Sequence, residues 1–539
     1  MLSYRKLAMR VLGRPLHTEG IDSPRPASQR AAAFVLTAAM LITLAAPAFA
    51  GTWYIENGDI TVKAGETKGT NKVSQGENPE VEDTNTIITN QNKDTASSHT
   101  VTIEAKDKDD KVEVTLKDVN IDTSSRNKAA VSVTGEGDTN IKLDGDNALK
   151  SDIYRSGIYG SGSGSLTISG GENDSLTAQG GSGANGISSS GSLTISGGTV
   201  TANGDDGGRG ISSSGSVTIS GGSTVTANGG SGTISGGDGI WSGGGVTISG
   251  GSTVTANGGN GGSLVGGDGI RSGGGLTVSD GTVTAKGGNG DSKDGYGGDG
   301  IRSGGVVTIS GNTVNAAGGY GGKVGGYGIC SFDRVAISGG TVEAAGGNGS
   351  TGGGSGIYSS VIDLSGSLEL TAKAGSPTGK ALLQNGRELD LDTIKDKLGP
   401  GAKVTATDAD GKVIDQVFIP RPVEPEESSS SSDGGSAAPS APTSPLPGLT
   451  VTDKDGQRIS YTSTQSGNTL TVCVGRFTAS FRISLAALRQ LRAEGIETIT
   501  FQTILCSTTL SLDELLAMGG EDAEAVLTHR FTDSSLTVG

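Results

Sequence analysis

One set of residues in the middle of the chain combines aromatic and basic side chains at a regular spacing. Each follows the isoleucine of a repeated Gly-Ile pair, and together they are called the outer column here. The outer column consists of Tyr159, Ser188, Ser212, Trp241, Arg271, Arg302, Cys330 and Tyr358. Aromatic rings stack on the C–H faces of sugars, and arginine pairs with carboxylates. We therefore expect Tyr159, Trp241, Arg271, Arg302 and Tyr358 to form a strip that binds an extended, acidic glycan. The alternative is a solvated surface column with occasional aromatic residues.

A second set consists of the aspartates that precede Gly-Ile in three consecutive repeats. Asp238, Asp268 and Asp299 are called the aspartate column here. Like charges stacked in adjacent strands repel unless something neutralises them. Calcium, which prefers hard oxygen ligands, is one candidate, and Ca²⁺ is the only cofactor that the sequence suggests. The other candidate, which we favour, is a set of salt bridges to Arg271 and Arg302.

Threonine pairs form a third set. Pairs such as Thr253 and Thr255 flank a valine in four successive repeats, and flat Thr-x-Thr arrays let some solenoids bind ice. Asn315 and Glu343 interrupt the array in the next two repeats. Because threonine is also an ordinary strand residue, we do not expect ice binding.

Catalysis is not expected either. β-Helix lyases use clustered acidic residues and a basic residue, and the aspartate column with Arg271 and Arg302 supplies those types. These residues recur as part of the repeat, however, whereas a catalytic site usually departs from it. The chain has only three histidines, His17, His99 and His529, so zinc chemistry lacks ligands.

The repeat that carries these residues predicts the fold. Its marker isoleucines recur at intervals of 24 to 31 residues. They are Ile158, Ile187, Ile211, Ile240, Ile270, Ile301, Ile329 and Ile357. Within each repeat, segments such as Val246-Thr247-Ile248 and Thr253-Val254-Thr255 alternate apolar and polar residues, which is typical of strands with one buried face. The pattern predicts an all-β, right-handed parallel β-helix with three strands per coil. The glycine-rich insertions should emerge from one corner as a ragged edge.

Changes in composition divide the chain. We expect a β-helix at 51–378, a cap on the solenoid at 379–419 and a disordered Pro/Ser/Glu-rich linker at 420–448. A small α+β domain follows at 449–539. Ser484 should begin one of its helices, and Ser511 with Glu514 another. Cys473 and Cys506 could pair in an oxidising compartment, and the function of this domain is not indicated.

The first fifty residues predict export. A basic stretch to Arg30 is followed by an apolar run and the small-x-small sequence Ala48-Phe49-Ala50, which is typical of a signal peptide over 1–50. The apolar run is shorter than the roughly 20 residues that span a bilayer, so no transmembrane segment is expected after cleavage. The chain is therefore expected to be secreted or at the cell surface. Its net charge of −16 makes nucleic acid an unfavourable partner.

The chain resembles a known bacterial family over roughly residues 51–400. The resemblance rests on Val114-Thr115-Leu116-Lys117-Asp118-Val119-Asn120-Ile121, Ala129-Ala130-Val131-Ser132-Val133, Asn140-Ile141-Lys142-Leu143 and the Gly-Ile-x-Ser and Leu-Thr-Ile-Ser-Gly-Gly coils that follow. These segments are similar to secreted carbohydrate-binding domain-containing proteins. The resemblance implies a β-helix related to polysaccharide lyases that binds acidic plant polysaccharide and calcium.

These observations favour a secreted, non-catalytic protein that binds polysaccharide at or near the cell surface. The alternative is a structural or adhesive stalk whose C-terminal domain makes the contacts, with a cell-wall or protein partner that the sequence does not identify. A pectate-lyase-like enzyme and an ice-binding solenoid are less favoured.

Overall fold

In the computed structural model, the described residues are 50–420 and 448–538, with gaps at 454–456, 460, 467, 475–477, 504–506, 521–522 and 530–533. The predicted signal peptide, except for its last residue, and almost all of the predicted linker lie outside these residues. The chain divides into two compact units, Met1–Glu424 and Pro425–Gly539.

The first unit is a parallel β-solenoid of about 14 turns, which confirms the predicted fold class. A typical coil contains three strands, because two glycine- or serine-rich corners separate short alternating segments. Its strands are β1 (Thr52–Tyr54), β2 (Ile60–Ala64), β3 (Asn71–Gln75), β4 (Val81–Asp83), β5 (Ile87–Thr89), β6 (Val101–Ala105), β7 (Lys111–Lys117), β8 (Asn120–Asp122), β9 (Val131–Gly135), β10 (Asp138–Asp144), β11 (Asp146–Lys150), β12 (Ile158–Gly160), β13 (Leu166–Ser169), β14 (Ser175–Ser182), β15 (Ile187–Ser189), β16 (Leu193–Ser196), β17 (Thr199–Asp205), β18 (Ile211–Ser213), β19 (Val217–Ser220), β20 (Thr224–Asn228), β21 (Ile240–Ser242), β22 (Val246–Ile248), β23 (Ser252–Asn257), β24 (Ile270–Ser272), β25 (Leu276–Val278), β26 (Gly281–Lys286), β27 (Ile301–Ser303), β28 (Val307–Ala317), β29 (Ile329–Ala345), β30 (Ile357–Lys373), β31 (Leu382–Gln384), β32 (Arg387–Glu388), β33 (Lys403–Thr407) and β34 (Val413–Phe418).

The marker isoleucines form one continuous interior column. Ile211 pairs with Ile240, and Ile240 with Ile270, in parallel register. The same register runs unbroken from Ile158 to Ile357, and all eight isoleucines are fully buried. Stacking of identical residues therefore creates the core, since no single coil could bury its apolar face alone.

A buried serine column runs beside the isoleucines, two residues after each of seven of them. Its members are Ser189, Ser213, Ser242, Ser272, Ser303, Ser331 and Ser359. Each hydroxyl donates to a backbone carbonyl at the corner that follows its strand, for six of the seven in the preceding coil, as Ser242 Oγ does to Gly215 O at 2.9 Å. The hydroxyls thus satisfy carbonyls at a corner where the strand ends, which the alternation of apolar residues did not predict.

The glycine-rich corner is more regular than expected. Its insertions do emerge from one corner, but they stack in register: Gly232, Gly261 and Gly290 form successive parallel bridges. The prediction of a ragged edge is therefore wrong for these coils. The physical reason is close packing, because a Cβ on Gly237 would lie 1.9 Å from Gly208 O of the preceding coil.

Both ends of the solenoid carry antiparallel strands. At the N-terminal end β3 pairs antiparallel with β2 and β4, and a 3₁₀ helix spans Ile55–Asn57. At the C-terminal end β34 pairs antiparallel with β33, after a 3₁₀ helix at Leu391–Lys397. This second arrangement lies within the segment predicted to be a cap, and it pairs the last parallel strand edge.

The second unit has its own core of two four-stranded sheets and two helices. Its strands are β35 (Leu449–Thr452), β36 (Thr462–Ser466), β37 (Thr469–Cys473), β38 (Ala479–Ser484), β39 (Thr498–Gln502), β40 (Ser507–Ser511), β41 (Glu524–His529) and β42 (Ser534–Val538). Helix α1 (Leu485–Ala493) begins at Ser484, and helix α2 (Leu512–Ala517) begins at Ser511, as predicted. None of the helices in the described residues is long and apolar enough to cross a membrane.

The second unit contains two similar strand–helix–strand segments. Ile483-Ser484-Leu485 and Leu510-Ser511-Leu512 occupy equivalent places at the starts of the two helices. Strand–helix–strand segments β38-α1-β39 and β40-α2-β41 interlock, since β38 pairs with β41 and β39 with β40, both antiparallel. Arg492 of α1 pairs with Asp513 of α2 at 2.8 Å, which joins the two halves.

Candidate binding groove

The outer column lies in register along the solenoid. Ser212 pairs with Trp241, Trp241 with Arg271, and Arg271 with Arg302. The register continues to Tyr159 in one direction and to Tyr358 in the other. The alternation that places isoleucine inside thus places the following residue in one line on the other side.

Exposure along the outer column is uneven, so the predicted strip is not continuous. Tyr159 and Arg271 are exposed, whereas Trp241, Arg302 and Tyr358 are half-buried. Ser212 and Cys330 are buried, and burial raises the pKa of the Cys330 thiol to about 12. Ser188 and Ser212 also separate Tyr159 from Trp241, so the five strip residues do not form one surface.

A groove of about 860 Å³ runs beside the outer column. It spans six coils, from Asn185 at one end to Tyr327 at the other, and includes Arg271 and Arg302 from the predicted strip. Trp241, Tyr159 and Tyr358 are not among its lining residues. The groove rather than the strip is therefore the candidate site.

Charged and apolar side chains build the groove. The aspartate column lines it together with Arg209, which occupies the same position in its own coil, and with Arg271 and Arg302 of the outer column. On the other side along the chain lies a column of Val265, Tyr296 and Val324, whose backbones form successive parallel bridges. Tyr296 is 43% exposed, so the groove offers an apolar surface as well as a charged one.

Backbone amides hold the aspartate column in place. The backbone N–H of Asp268 donates to Asp238 Oδ1 at 2.9 Å, and that of Asp299 donates to Asp268 Oδ1 at 2.7 Å. The N–H of Tyr327 donates to Asp299 Oδ1 at 2.7 Å. Each aspartate thus links its own coil to the next, which explains why these three residues are at least 94% buried, with exposed fractions of 6%, 6% and 4%.

Two of the three aspartates have arginine partners. Arg209 Nε lies 3.2 Å from Asp238 Oδ2, and Arg302 Nη1 lies 3.3 Å from Asp299 Oδ2. Asp268 and Arg271 make no ion pair with any described residue. The favoured salt-bridge interpretation thus holds for Asp238 and Asp299, but Arg209 and not Arg271 serves Asp238.

Burial raises the pKa values of two carboxyls in the aspartate column, and repulsion from neighbouring carboxyls adds to the effect at Asp268. Burial raises the pKa of Asp268 well above its ordinary value, and the neighbouring carboxyls of Asp299 and Asp238 raise it further. Burial also raises the pKa of Asp299 to about 6, against the opposing effects of the Tyr327 amide and Arg302. The carboxyls of Asp268 and Asp299 therefore ionise less readily than that of an exposed aspartate.

The aspartate column does not fit a calcium ion. Calcium takes six to eight oxygen ligands, whereas all three Oδ1 atoms already accept backbone hydrogen bonds. The Oδ2 atoms of Asp238 and Asp299 face arginines, which leaves Asp268 Oδ2 alone. Among the described residues no group of three or more His, Cys, Asp or Glu side chains is placed to hold a metal ion.

Aromatic side chains lie at and beyond one end of the groove. Tyr327 stacks on Tyr358 with ring centroids 5.0 Å apart, and Arg302 lies 5.1 Å from the ring centroid of Phe332.

The guanidinium of Arg209 covers one face of Trp241, at 4.4 Å from the ring centroid. The Trp241 ring therefore has at most one face left for a sugar.

Arg209, Tyr296 and Tyr327 belong to the groove although the sequence did not single them out. Arg209 and Tyr327 occupy the same position in their coils, directly before Gly-Ile, as the three aspartates do in theirs. Following that position through every coil, and not only through those with Asp, would have found both. Tyr296 lies in an insertion, whose register only the stacked corner reveals.

The chain matches no protein-family model, no curated protein and no solved structure. The resemblance to carbohydrate-binding domain-containing proteins therefore stays a prediction, and the groove has to be interpreted from its own geometry.

The remaining sequence predictions concern the threonine pairs and the cysteines. Thr253 pairs with Thr282, and Thr255 pairs with Thr284. In the next two coils Asn315 and Glu343 continue the line of Thr255 and Thr284, so they interrupt the threonine array as predicted. Cys473 Sγ lies 3.5 Å from Gln502 Oε1. Its predicted partner, Cys506, lies outside the described residues.

Proposed function

We propose that the groove of the solenoid binds an extended polysaccharide without cleaving it, after export of the protein to the cell surface or its surroundings. One observation carries the proposal: a single groove spans six coils and combines charged, hydrogen-bonding and aromatic side chains. Ligand sites typically pair apolar surface with a few convergent polar groups in this way.

The direction of the groove favours a linear ligand. Successive coils are about 4.8 Å apart, so the six coils from Asn185 to Tyr327 extend for roughly 24 Å along the solenoid. A sugar ring has apolar C–H faces and polar hydroxyl edges. The Val265–Tyr296–Val324 side suits the faces, and the arginines and the aspartate column suit the edges.

The way in which the carboxyls are held supports binding without cleavage. A catalytic base needs a carboxylate that is free to take a proton from the substrate. Asp238 and Asp299 are held by arginines and by backbone amides, and burial raises the pKa of the Asp268 carboxyl, which ionises less readily than an exposed aspartate. Incubation with pectin tests this point, because a lyase would release an ultraviolet-absorbing unsaturated product.

A glycan array probed with the full chain, with and without calcium, tests the proposal. We expect binding to linear glycans of several units that does not depend on calcium. Arg271→Gln should weaken it, because Arg271 is exposed, lies in the groove and has no ion-pair partner among the described residues. Trp241→Ala should weaken it less. Lys403→Gln, in the cap, is the matched control, and binding that Arg271→Gln leaves unchanged would refute the groove as the site.

The alternative is a stalk with contacts made by the second unit. That unit has a separate core, in which Phe481 and Phe501 pack at 4.8 Å, so it is built as an independent module. Binding by residues 449–539 alone, and not by residues 51–420, would favour this alternative.

A further inference from the structure

Asp268 differs from every other charged side chain of the groove. It is 6% exposed, it lines the groove, and its Oδ1 is committed to the backbone N–H of Asp299. Its Oδ2 has no hydrogen-bond or ion-pair partner among the described residues. A polar atom is costly to leave without a partner when a ligand covers it, and this one belongs to a residue that lines a cavity large enough for a ligand.

We infer that Asp268 determines ligand specificity in this groove: its carboxyl stays protonated and donates a hydrogen bond from Oδ2 to an oxygen atom of the bound sugar. The inference rests on the proposed function. It adds which residue selects the ligand and by what contact.

The charges that surround Asp268 support a neutral carboxyl. Asp238 and Asp299 lie in the two adjacent coils. Asp238 forms an ion pair with Arg209, and Asp299 forms one with Arg302. Arg271, three residues further along the chain, is exposed and makes no ion pair with Asp268. An ionised Asp268 would therefore be a buried charge without an ion-pair partner of its own, which protonation avoids.

A neutral carboxyl is a hydrogen-bond donor as well as an acceptor. Because Oδ1 already accepts from the next coil, the proton is placed on Oδ2, the atom that has no partner. Asp238 and Asp299 cannot act in this way, since their Oδ2 atoms face guanidinium groups. A ligand with an acceptor oxygen opposite Asp268 satisfies it, and a ligand without one leaves it unpaired.

Two oligosaccharides of equal length, hexagalacturonate and cellohexaose, serve as probes of charge and pH. Affinity is measured by calorimetry between pH 5 and pH 9 for the full chain and for Asp268→Asn. The wild type should lose at least tenfold in affinity as Asp268 ionises, because the donor is replaced by a charge. Asp268→Asn keeps an acceptor for the Asp299 amide and offers an N–H donor at every pH, so only the smaller change due to Asp299 near pH 6 should remain.

Asp280→Asn is the control, because Asp280 is exposed and does not line the groove. It should follow the wild-type pH profile. Identical pH profiles for wild type and Asp268→Asn, or a wild-type affinity that is constant with pH, would overturn the inference while leaving the proposed function intact. If neither probe binds at any pH, the proposed function fails and the donor role fails with it.

A measurement on the wild type covers the case in which Asp268→Asn does not fold. Carbon-13 NMR of labelled aspartate carboxyls follows each titration directly. A second carboxyl that remains protonated after Asp299 has ionised is expected, and its resonance should move when the probe is added. If no aspartate remains protonated once Asp299 has ionised, the inference is wrong, whatever the glycan data show.

Discussion

Replacing Asp299 with asparagine should change how the stability of the solenoid depends on pH. Asp299 is 4% exposed, and burial raises its pKa from 3.8 to about 6. The folded state therefore binds a proton that the unfolded state releases between these values. The stabilisation that Asp299 contributes is fully present at pH values below 3.8, its pKa in the unfolded chain. It is lost as the pH rises through about 6, its pKa in the folded chain.

The size of the pKa shift of Asp299 determines how much the free energy of unfolding changes with pH. A change from 3.8 to about 6 corresponds to a total of about 3 kcal/mol, at 1.36 kcal/mol per unit. Between pH 4 and pH 7.5 the linkage relation leaves about 2 kcal/mol of this, because the unfolded carboxyl is already partly ionised at pH 4. Asp299→Asn has no such titration, so its free energy of unfolding should fall about 2 kcal/mol less than that of the wild type over this range.

Urea unfolding followed by circular dichroism at pH 4 and pH 7.5 measures this difference, with Asp280→Asn as the control. The comparison uses the change with pH and not the absolute stability, so the loss of the Arg302 contact does not confuse it. Hydrogen exchange at the Tyr327 amide, which donates to Asp299 Oδ1, gives a local measurement. Parallel pH profiles for wild type and Asp299→Asn would refute the assignment of a raised pKa to this residue.

Three further predictions concern the core, a corner and the second unit. Ile270→Ala should cost about 2–5 kcal/mol in urea unfolding and Ile270→Val about 0.5–1.5, because Ile270 is fully buried; equal effects would refute the interior column. Gly237→Ala should abolish the sheet signal in circular dichroism, because its Cβ meets a backbone oxygen at 1.9 Å, whereas Gly251→Ala meets no atom and should cost only about 1–2 kcal/mol for its positive φ. His529 is fully buried and burial lowers its pKa below 6.5, so the second unit should lose stability as pH falls below about 6.5. Amide NMR of the full chain should show less of this loss in His529→Gln, and an unchanged pH profile would contradict it.

The repeat in the sequence by itself determined the solenoid and its register. Alternation with period two sorts Ile270 to the inside and Arg271 to the outside, and a one-residue slip would reverse every side chain. Because each coil repeats the pattern, the same residue must stack on itself, as Ile240 does on Ile270. The N-termini of both helices in the second unit could likewise be predicted from the local sequence, since Ser484 and Ser511 cap the helices that they begin.

The contacts of the groove were decided only by the tertiary structure. Arg209 reaches Asp238 in the next coil, whereas Arg302 reaches Asp299 in its own. The sequence places these residues in neighbouring columns but does not specify which way each long side chain turns. It also could not show that the Oδ1 atoms are taken by the amides of the next coil, which is why calcium looked plausible.

The glycine-rich corner separates the two kinds of information most clearly. Composition alone suggested a loose edge, because glycine has few local preferences. In the folded chain Gly237 and its neighbours allow coils to approach more closely than any Cβ would permit, and these glycines line the groove. Local pattern thus determined what repeats and what is buried, while contacts between coils, which depend on side-chain direction and close packing, decided where a ligand can be held.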